Sequence, residues 1–211
     1  MRVDTNGTEE RIIESATRLF NTWGYTGMTL RQIAKEVGIE AQSIYNYTTS
    51  KQALVEKMIR AGTEALHNSV VTALEAADPS PSARLAAAVE AHVVHYASSP
   101  HVVMFRDSLI HFNEDVRTSL RAMLKSYEQL FKDIIREGME SGDFRWVDET
   151  PAAFAILGMG ESVTNWWRPG GRLSAAEVGA MYGDLAVRMV TASPDLLGSS
   201  TLKLPRSSDR T

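Results

Sequence analysis

The chain has 211 residues, 44% hydrophobic and 23% charged, enough for one domain with a sizeable core or a small domain joined to a larger one. It holds no cysteine, which excludes disulfides, thiolate catalysis and thiolate metal centres such as zinc fingers and iron–sulfur clusters. Net charge is −4, yet residues 1–60 carry 8 Lys and Arg against 7 Asp and Glu while residues 61–211 carry 14 against 19; the front is the more cationic part but falls well short of a strongly basic domain.

Helical periodicity runs nearly throughout and no period-2 strand is found, so an all-α fold of about nine helices is expected. Ile12, Ile13, Ala16, Leu19 and Phe20 recur at helical spacing up to Trp23-Gly24, giving a first helix over 9–22. Thr29 with Gln32 forms a capping box and Met28 is placed to staple onto Ile33, which opens a short second helix over 30–37 that Gly38 ends. A third helix over 41–47 carries Ile44 and Tyr47 on one face, and Ser50 caps a long fourth helix that stops at Asp78-Pro79-Ser80-Pro81. The fifth covers 82–98, a short sixth lies near 101–110 beyond Pro100, and the seventh, over 114–140, shows an apolar stripe from Leu120 to Ile135. Thr150-Pro151 is expected to cap an eighth helix of small residues reaching Trp167. Ser174 with Glu177 is a second capping box, opening a ninth helix over 175–192. Residues 194–211, rich in Ser and charge, are expected to be disordered. The first residues lack an apolar signal core, and the longest uncharged apolar stretch, Ala152 to Gly160, falls far short of the roughly 20 residues a bilayer requires. A cytoplasmic protein without a membrane partner is expected.

The second and third helices, joined through Gly38-Ile39-Glu40, have the form of a helix-turn-helix, whose second helix enters the major groove of DNA. The polar face of the third helix offers Gln42, Ser43, Tyr45 and Asn46, and Thr29 and Lys51 flank it at positions suited to phosphates. Hydroxyls and amides are common phosphate contacts, and Gln can address an adenine edge bidentately. Spacing alone leaves open the alternative of a tight helical hairpin whose polar residues are simply solvated.

More than spacing is present. The run Phe20-x-x-x-Gly24-Tyr25-x-x-Met28-Thr29-x-x-x-Ile33-Ala34-x-x-x-Gly38-Ile39, followed by Ser43-Ile44-Tyr45-Asn46-Tyr47 and Ser50-Lys51-x-x-Leu54, resembles the N-terminal domain of TetR-type transcriptional regulators over residues 9–56. The resemblance implies a homodimeric, ligand-released repressor on a double-stranded DNA operator, with Arg31, Ala41, Gln42 and Tyr45 near bases and Thr29, Ser43, Tyr47 and Lys51 on phosphates. It also implies a helix-turn-helix domain over 1–50 and a ligand-binding and dimerisation domain over 51–193. One position departs: Thr48 stands where that family usually has a phenylalanine packed against the long fourth helix. The connection Trp166-Trp167-Arg168-Pro169-Gly170-Gly171-Arg172-Leu173-Ser174, with Glu137-Gly138 and Gly142-Asp143-Phe144-Arg145, resembles a TetR subgroup that responds to acyl-CoA thioesters in fatty-acid and steroid catabolism. In this connection the paired Trp residues are expected to anchor the turn.

A palindromic operator read by two recognition helices about 34 Å apart demands a dimer. Ala152, Ala153, Ala155, Gly158 and Gly160 on the eighth helix, and Ala176, Gly179, Ala180, Gly183 and Ala186 on the ninth, allow close helix approach. They suit a four-helix interface between subunits, or packing within the chain against the seventh helix. A small-molecule effector site, acyl-CoA-like or lipophilic, is expected among His92, His95, Tyr96, Phe105, Tyr127, Phe131, Met159 and Val163, for which solid core is the competing assignment. A thioester would require cations for its phosphates, available from Arg84, Arg106, Arg117, Arg121 or Arg168; a lipophilic drug would not. His92 and His95 share a helix face but are read as ordinary histidines and not as metal ligands. No nucleophile–base signature or phosphate-binding glycine loop is found, so neither an enzyme nor a cofactor is expected.

Overall fold

In the computed structural model, residues 5–98 and 106–191 are described, and among them every regular element is helical. The helices are α1 (Thr5–Gly27), α2 (Leu30–Val37), α3 (Lys51–Ala76), α4 (Pro81–Ser98), α5 (Glu114–Ser141), α6 (Glu149–Glu161), α7 (Val163–Trp166) and α8 (Ala175–Thr191), with 3-10 helices at Ser43–Asn46 and Arg106–His111. None of these helices is long and apolar enough to cross a membrane.

The all-α expectation holds, with local differences that have physical causes. The first helix starts earlier than expected and is broken at Gly24, whose backbone (φ 66°, ψ −178°) is not helical. The third is a single 3-10 turn and not an α-helix over 41–47: Tyr45 and Tyr47 amides bond back three residues, to Gln42 and Ile44 carbonyls. The sixth is likewise 3-10, over Arg106–His111. The eighth is capped two residues earlier than expected, by the Asp148 carboxylate accepting from the Thr150 amide at 3.0 Å, and it divides at Ser162 into α6 and α7. The tail over 194–211 lies outside the described residues.

Two compact units arise from this order: Met1–Ala65 with Ser99–Leu124, and Leu66–Ser98 with Lys125–Thr211. In the first, Ile12, Ala16, Leu19 and Phe20 of α1 meet Ile33, Ala34 and Val37 of α2 and Leu54, Val55, Met58 and Ile59 of α3, closed by Phe112 and Leu120. Arg11 reaches from α1 to the Val37 carbonyl, and Ser15 bonds the Glu36 carboxylate at 2.6 Å, fixing α1 against the end of α2. The second core gathers Leu85, Val89 and Val93 of α4, Phe131, Ile134 and Ile135 of α5, Ile156 and Leu157 of α6, and Val178, Ala186 and Val190 of α8. Arg136 ties α5 to the start of α6 with two 2.9 Å bonds to Glu149. Ser174 and Glu177 form the expected reciprocal cap of α8.

The small residues of α6 and α8 fall on two faces. Gly160 lies against the His92 ring, Gly179 against Glu90 and Val94, and Gly183 against the Ala86 backbone, so the close helix contact within the chain is with α4 and not with the long α5. Ala155, Gly158, Ala176 and Ala180 remain exposed. A Cβ added at Gly183 would sit 2.9 Å from the Ala86 carbonyl oxygen, a backbone atom with little freedom to yield. Overpacking of about 1–3 kcal/mol outweighs the helix-propensity gain of about 1 kcal/mol, so Gly183→Ala is expected to lower stability in urea unfolding. Gly158→Ala, whose added methyl meets nothing within 4 Å, is expected not to. Equal stability of the two variants would refute the close α4–α8 contact.

Candidate functional site

Local chemistry builds the helix-turn-helix. Thr29 caps α2 by accepting from the Gln32 amide at 3.2 Å, while its hydroxyl donates to the Gln32 side chain at 2.7 Å. The helix ends at Gly38 in the left-handed region (φ 76°), with the Gly38 amide on the Lys35 carbonyl and the Ile39 amide on the Ala34 carbonyl. These two bonds are the Schellman pattern, which only a residue tolerant of positive φ completes cheaply. The redirected chain buries Ile44 completely and leaves Ala41, Gln42, Tyr45 and Asn46 outside, with Ser43 and Tyr47 half-buried. Tyr45, a large aromatic, is 55% exposed.

Four of the nine expected DNA contacts, Thr29, Arg31, Tyr45 and Lys51, line one open cleft of about 500 Å³, together with Met28, Leu30, Thr49 and Ser50. Lys51 is held in place: its ammonium donates to the carbonyls of Tyr25 (2.8 Å) and Met28 (3.0 Å) and lies 4.4 Å from the centre of the Tyr25 ring. Sequence reasoning missed Tyr25 as part of the site. Its position in the Gly24-Tyr25 motif was visible, but its partner stands on another helix. Thr48, the position that departs from the resemblance, is buried and turns its hydroxyl onto the Ser50 carbonyl at 2.9 Å.

The expected effector residues meet in the second unit. His92 is fully buried between two partners: Nε2 contacts the Leu157 carbonyl at 3.2 Å and Nδ1 the Tyr127 hydroxyl at 2.7 Å. A carbonyl only accepts, so Nε2 carries the proton and Tyr127 donates to Nδ1. Desolvation holds the imidazole pKa down at about 4, opposed by the Leu157 bond and aided by His95. Burial, with the neighbouring Tyr96 and Glu161, raises the Tyr127 phenol well above the ordinary tyrosine range, so it stays a donor. Tyr96 and Phe131 complete an aromatic cluster around the ring, and Met159 and Val163 belong to the same core. Burial also lowers the pKa of His95, which meets Tyr96 edge-on. Phe105 lies outside the described residues. No group of three or more His, Asp or Glu among the described residues is placed to hold a metal ion.

Four of the five arginines considered for a thioester have partners within the chain. Arg84 pairs with Glu137, Arg117 and Arg121 with Glu114, and Arg168 donates to the carbonyls of Thr164, Asn165 and Trp167. Of the paired tryptophans, Trp167 anchors the turn through its indole N–H to the Leu173 carbonyl at 2.9 Å, whereas Trp166 is half exposed.

A short polar turn presented by a buried isoleucine, beside a lysine fixed at a helix start, defines a helix-turn-helix DNA-binding protein. Residues 12–58 match the family model for bacterial regulatory proteins of the tetR family, and residues 78–190 match the tetracyclin repressor-like C-terminal domain. The chain belongs to the TetR family: it is a transcriptional regulator and not an enzyme. It is similar to the HTH-type transcriptional repressor KstR2 of Rhodococcus jostii, 26% identical over 184 residues that cover 85% of this chain and 90% of that protein. Among solved structures it is similar to the TetR family regulator PfmR of Thermus thermophilus, with a TM-score of 0.74, 28% identity and coverage of 84% of this chain and 97% of that one. AibR, solved in complex with isovaleryl coenzyme A and operator DNA, shares the fold with a TM-score of 0.74 at 23% identity, over 87% of this chain and 97% of that one.

The buried imidazole makes stability depend on pH with a definite sign. Its folded pKa, about 4, lies below the ordinary value of 6.5, so between these values the unfolded chain binds the proton and the folded chain does not. Stability is therefore full above about pH 6.5 and falls as pH drops toward 4, by about 3 kcal/mol in total. Urea unfolding at pH 7, 5.5 and 4.5 is expected to show this loss in the parent protein and not in His92→Phe. Parallel pH profiles would refute the neutral, doubly bonded imidazole.

Proposed function

We propose that the protein is a homodimeric repressor that occupies a palindromic operator and leaves it when an acyl-CoA-type thioester binds among α4, α5 and α6. The observation that carries the DNA half is the cleft in which Thr29, Arg31, Tyr45 and Lys51 converge beside the exposed turn. Arg31, Ala41, Gln42 and Tyr45 meet base edges in the major groove, Thr29, Ser43, Tyr47 and Lys51 meet phosphates, and Asn46 stands on the same polar face. The functional division assigns residues 1–50 to DNA and 51–193 to effector binding and pairing, in a cytoplasmic setting.

The pairing surface is the outer face of α6 and α8. Phe154, Met181 and Leu185 are exposed there among Ala155, Gly158, Ala176 and Ala180, and Trp166 is exposed at the end of α7. Large apolar side chains left in water beside small residues suit a two-fold helical interface. The effector half is supported by the Arg-Pro-Gly-Gly connection and by AibR, which holds a coenzyme A thioester and operator DNA on the same fold. His92, His95, Tyr96, Tyr127, Phe131, Met159 and Val163, which gather in the second unit, are the residues assigned to this effector. A second ligand class, a lipophilic compound without phosphates, is favoured by one observation: Arg84, Arg117, Arg121 and Arg168 already have partners within the chain.

Fluorescence anisotropy on DNA from just upstream of the protein's own gene tests the first half, and added long-chain acyl-CoA tests the second. Specific binding released by the thioester is the expected result; binding that ignores it turns the search to lipophilic ligands. Tyr45→Ala is expected to cost about 1–3 kcal/mol of operator affinity and to change base preference, and unchanged binding would remove the turn from the interface. Light scattering is expected to find Met181→Asp/Leu185→Asp monomeric and the parent dimeric. A dimeric double variant would place the interface elsewhere.

A further inference from the structure

Tyr25 joins two side chains that come from distant parts of the chain within the first unit. Its ring lies 4.4 Å from the Lys51 ammonium and stacks on the His111 imidazole, with centroids 4.2 Å apart and planes inclined by only 13°. Lys51 spends two of its three N–H donors on the Tyr25 and Met28 carbonyls, leaving one for an acceptor in the cleft. The ammonium's place is thus set by the residue 25 and 28 backbone and by the Tyr25 ring, and the ring itself is stacked on His111 and meets the buried Phe112 at a tilt of 59°, with centroids 6.4 Å apart. His111 ends the Arg106–His111 helix and is exposed, while the adjacent Phe112 is buried in the core and fixes the segment. Removing the imidazole therefore leaves the core filled and the contact with Phe112 in place but takes away the one ring stacked on Tyr25, loosening it beneath the lysine.

We propose that His111 is a positioning residue for DNA binding: its stacking on Tyr25 keeps the Lys51 ammonium aimed at a DNA phosphate. This rests on the assignment of Lys51 as a phosphate contact. A lysine has a long, flexible stem, and one already ordered before binding loses less freedom when the phosphate arrives. The contact reads no sequence, so the effect extends to any duplex.

The test is a double-mutant cycle on a random-sequence duplex and on the duplex from upstream of the gene, both at low salt. His111→Ala is expected to weaken binding to both by about three- to tenfold, the cost of ordering one long side chain on binding. Lys51→Ala weakens binding more and lowers the salt slope by about one. The His111→Ala/Lys51→Ala protein binds no more weakly than Lys51→Ala alone, because the imidazole acts only through the lysine. His111→Phe, which keeps a stacking ring, retains parental affinity. Parental affinity in His111→Ala, a His111→Phe as weak as His111→Ala, or losses that add in full in the double variant would each overturn the proposal. Parental affinity and salt slope in Lys51→Ala would instead overturn the phosphate assignment itself. Helical circular dichroism and thermal melting of each variant identify any loss that arises from unfolding.

Discussion

The left-handed backbone at Gly38 is the constraint on which the DNA-binding half depends. With φ at 76°, this residue lets the amides of Gly38 and Ile39 turn back onto the last carbonyls of α2, so the helix stops without leaving them unbonded. A side chain with a Cβ would disfavour that conformation by its own sterics. The chain that leaves the turn then has Ile44 at the right height to enter the core of α1, α2 and α3. Because Ile44 points inward, Gln42, Tyr45 and Asn46 point outward. One local conformation thus separates the side chains that hold the turn from those free to touch something else.

The second unit solves a different problem, the close packing of helices with a polar group at the centre. Glycines at 160, 179 and 183 remove the side chains that would keep α6 and α8 from α4, and His92 enters the space that Gly160 leaves. A buried imidazole is costly unless its nitrogens are bonded, and here both are, one by a backbone carbonyl and one by a phenol. The same arrangement explains why the ring is neutral, since neither partner offers a negative charge to offset the loss of water. The result is a core with a specific polar pair, which orders the helices more narrowly than apolar packing alone.

Two helices, α3 and α5, contribute side chains to both cores. α3 contributes Leu54, Val55, Met58 and Ile59 to one core and Leu66 and Val70 to the other; α5 contributes Leu120 to the first and Tyr127, Phe131, Ile134 and Ile135 to the second. Lys51 is the first residue of α3, and Tyr127 carries the hydrogen bond to His92. A ligand changes DNA affinity only by the difference in its own affinity for two arrangements of such elements.

How much of this was legible in the sequence follows from the range of the interactions. Thr29, Gly38, Ser50 and Ser174 marked helix ends correctly because a cap acts on backbone groups within a few residues of itself. The ordered run of Phe20, Gly24-Tyr25, Ile33-Ala34, Gly38-Ile39 and Lys51 indicated the class of protein by its resemblance to the TetR-type N-terminal domain. The all-helical class was equally plain, because apolar spacing of this period fits no strand. The sequence by itself determined these things. Only the tertiary structure decided which face of α6 and α8 turned inward, because a stripe of small residues permits close approach without naming the neighbour. Only it brought Tyr25 together with Lys51 and His111, and His92 with Tyr127 and Leu157, since the partners of a ring or an imidazole are chosen by packing between helices and not by spacing along one of them.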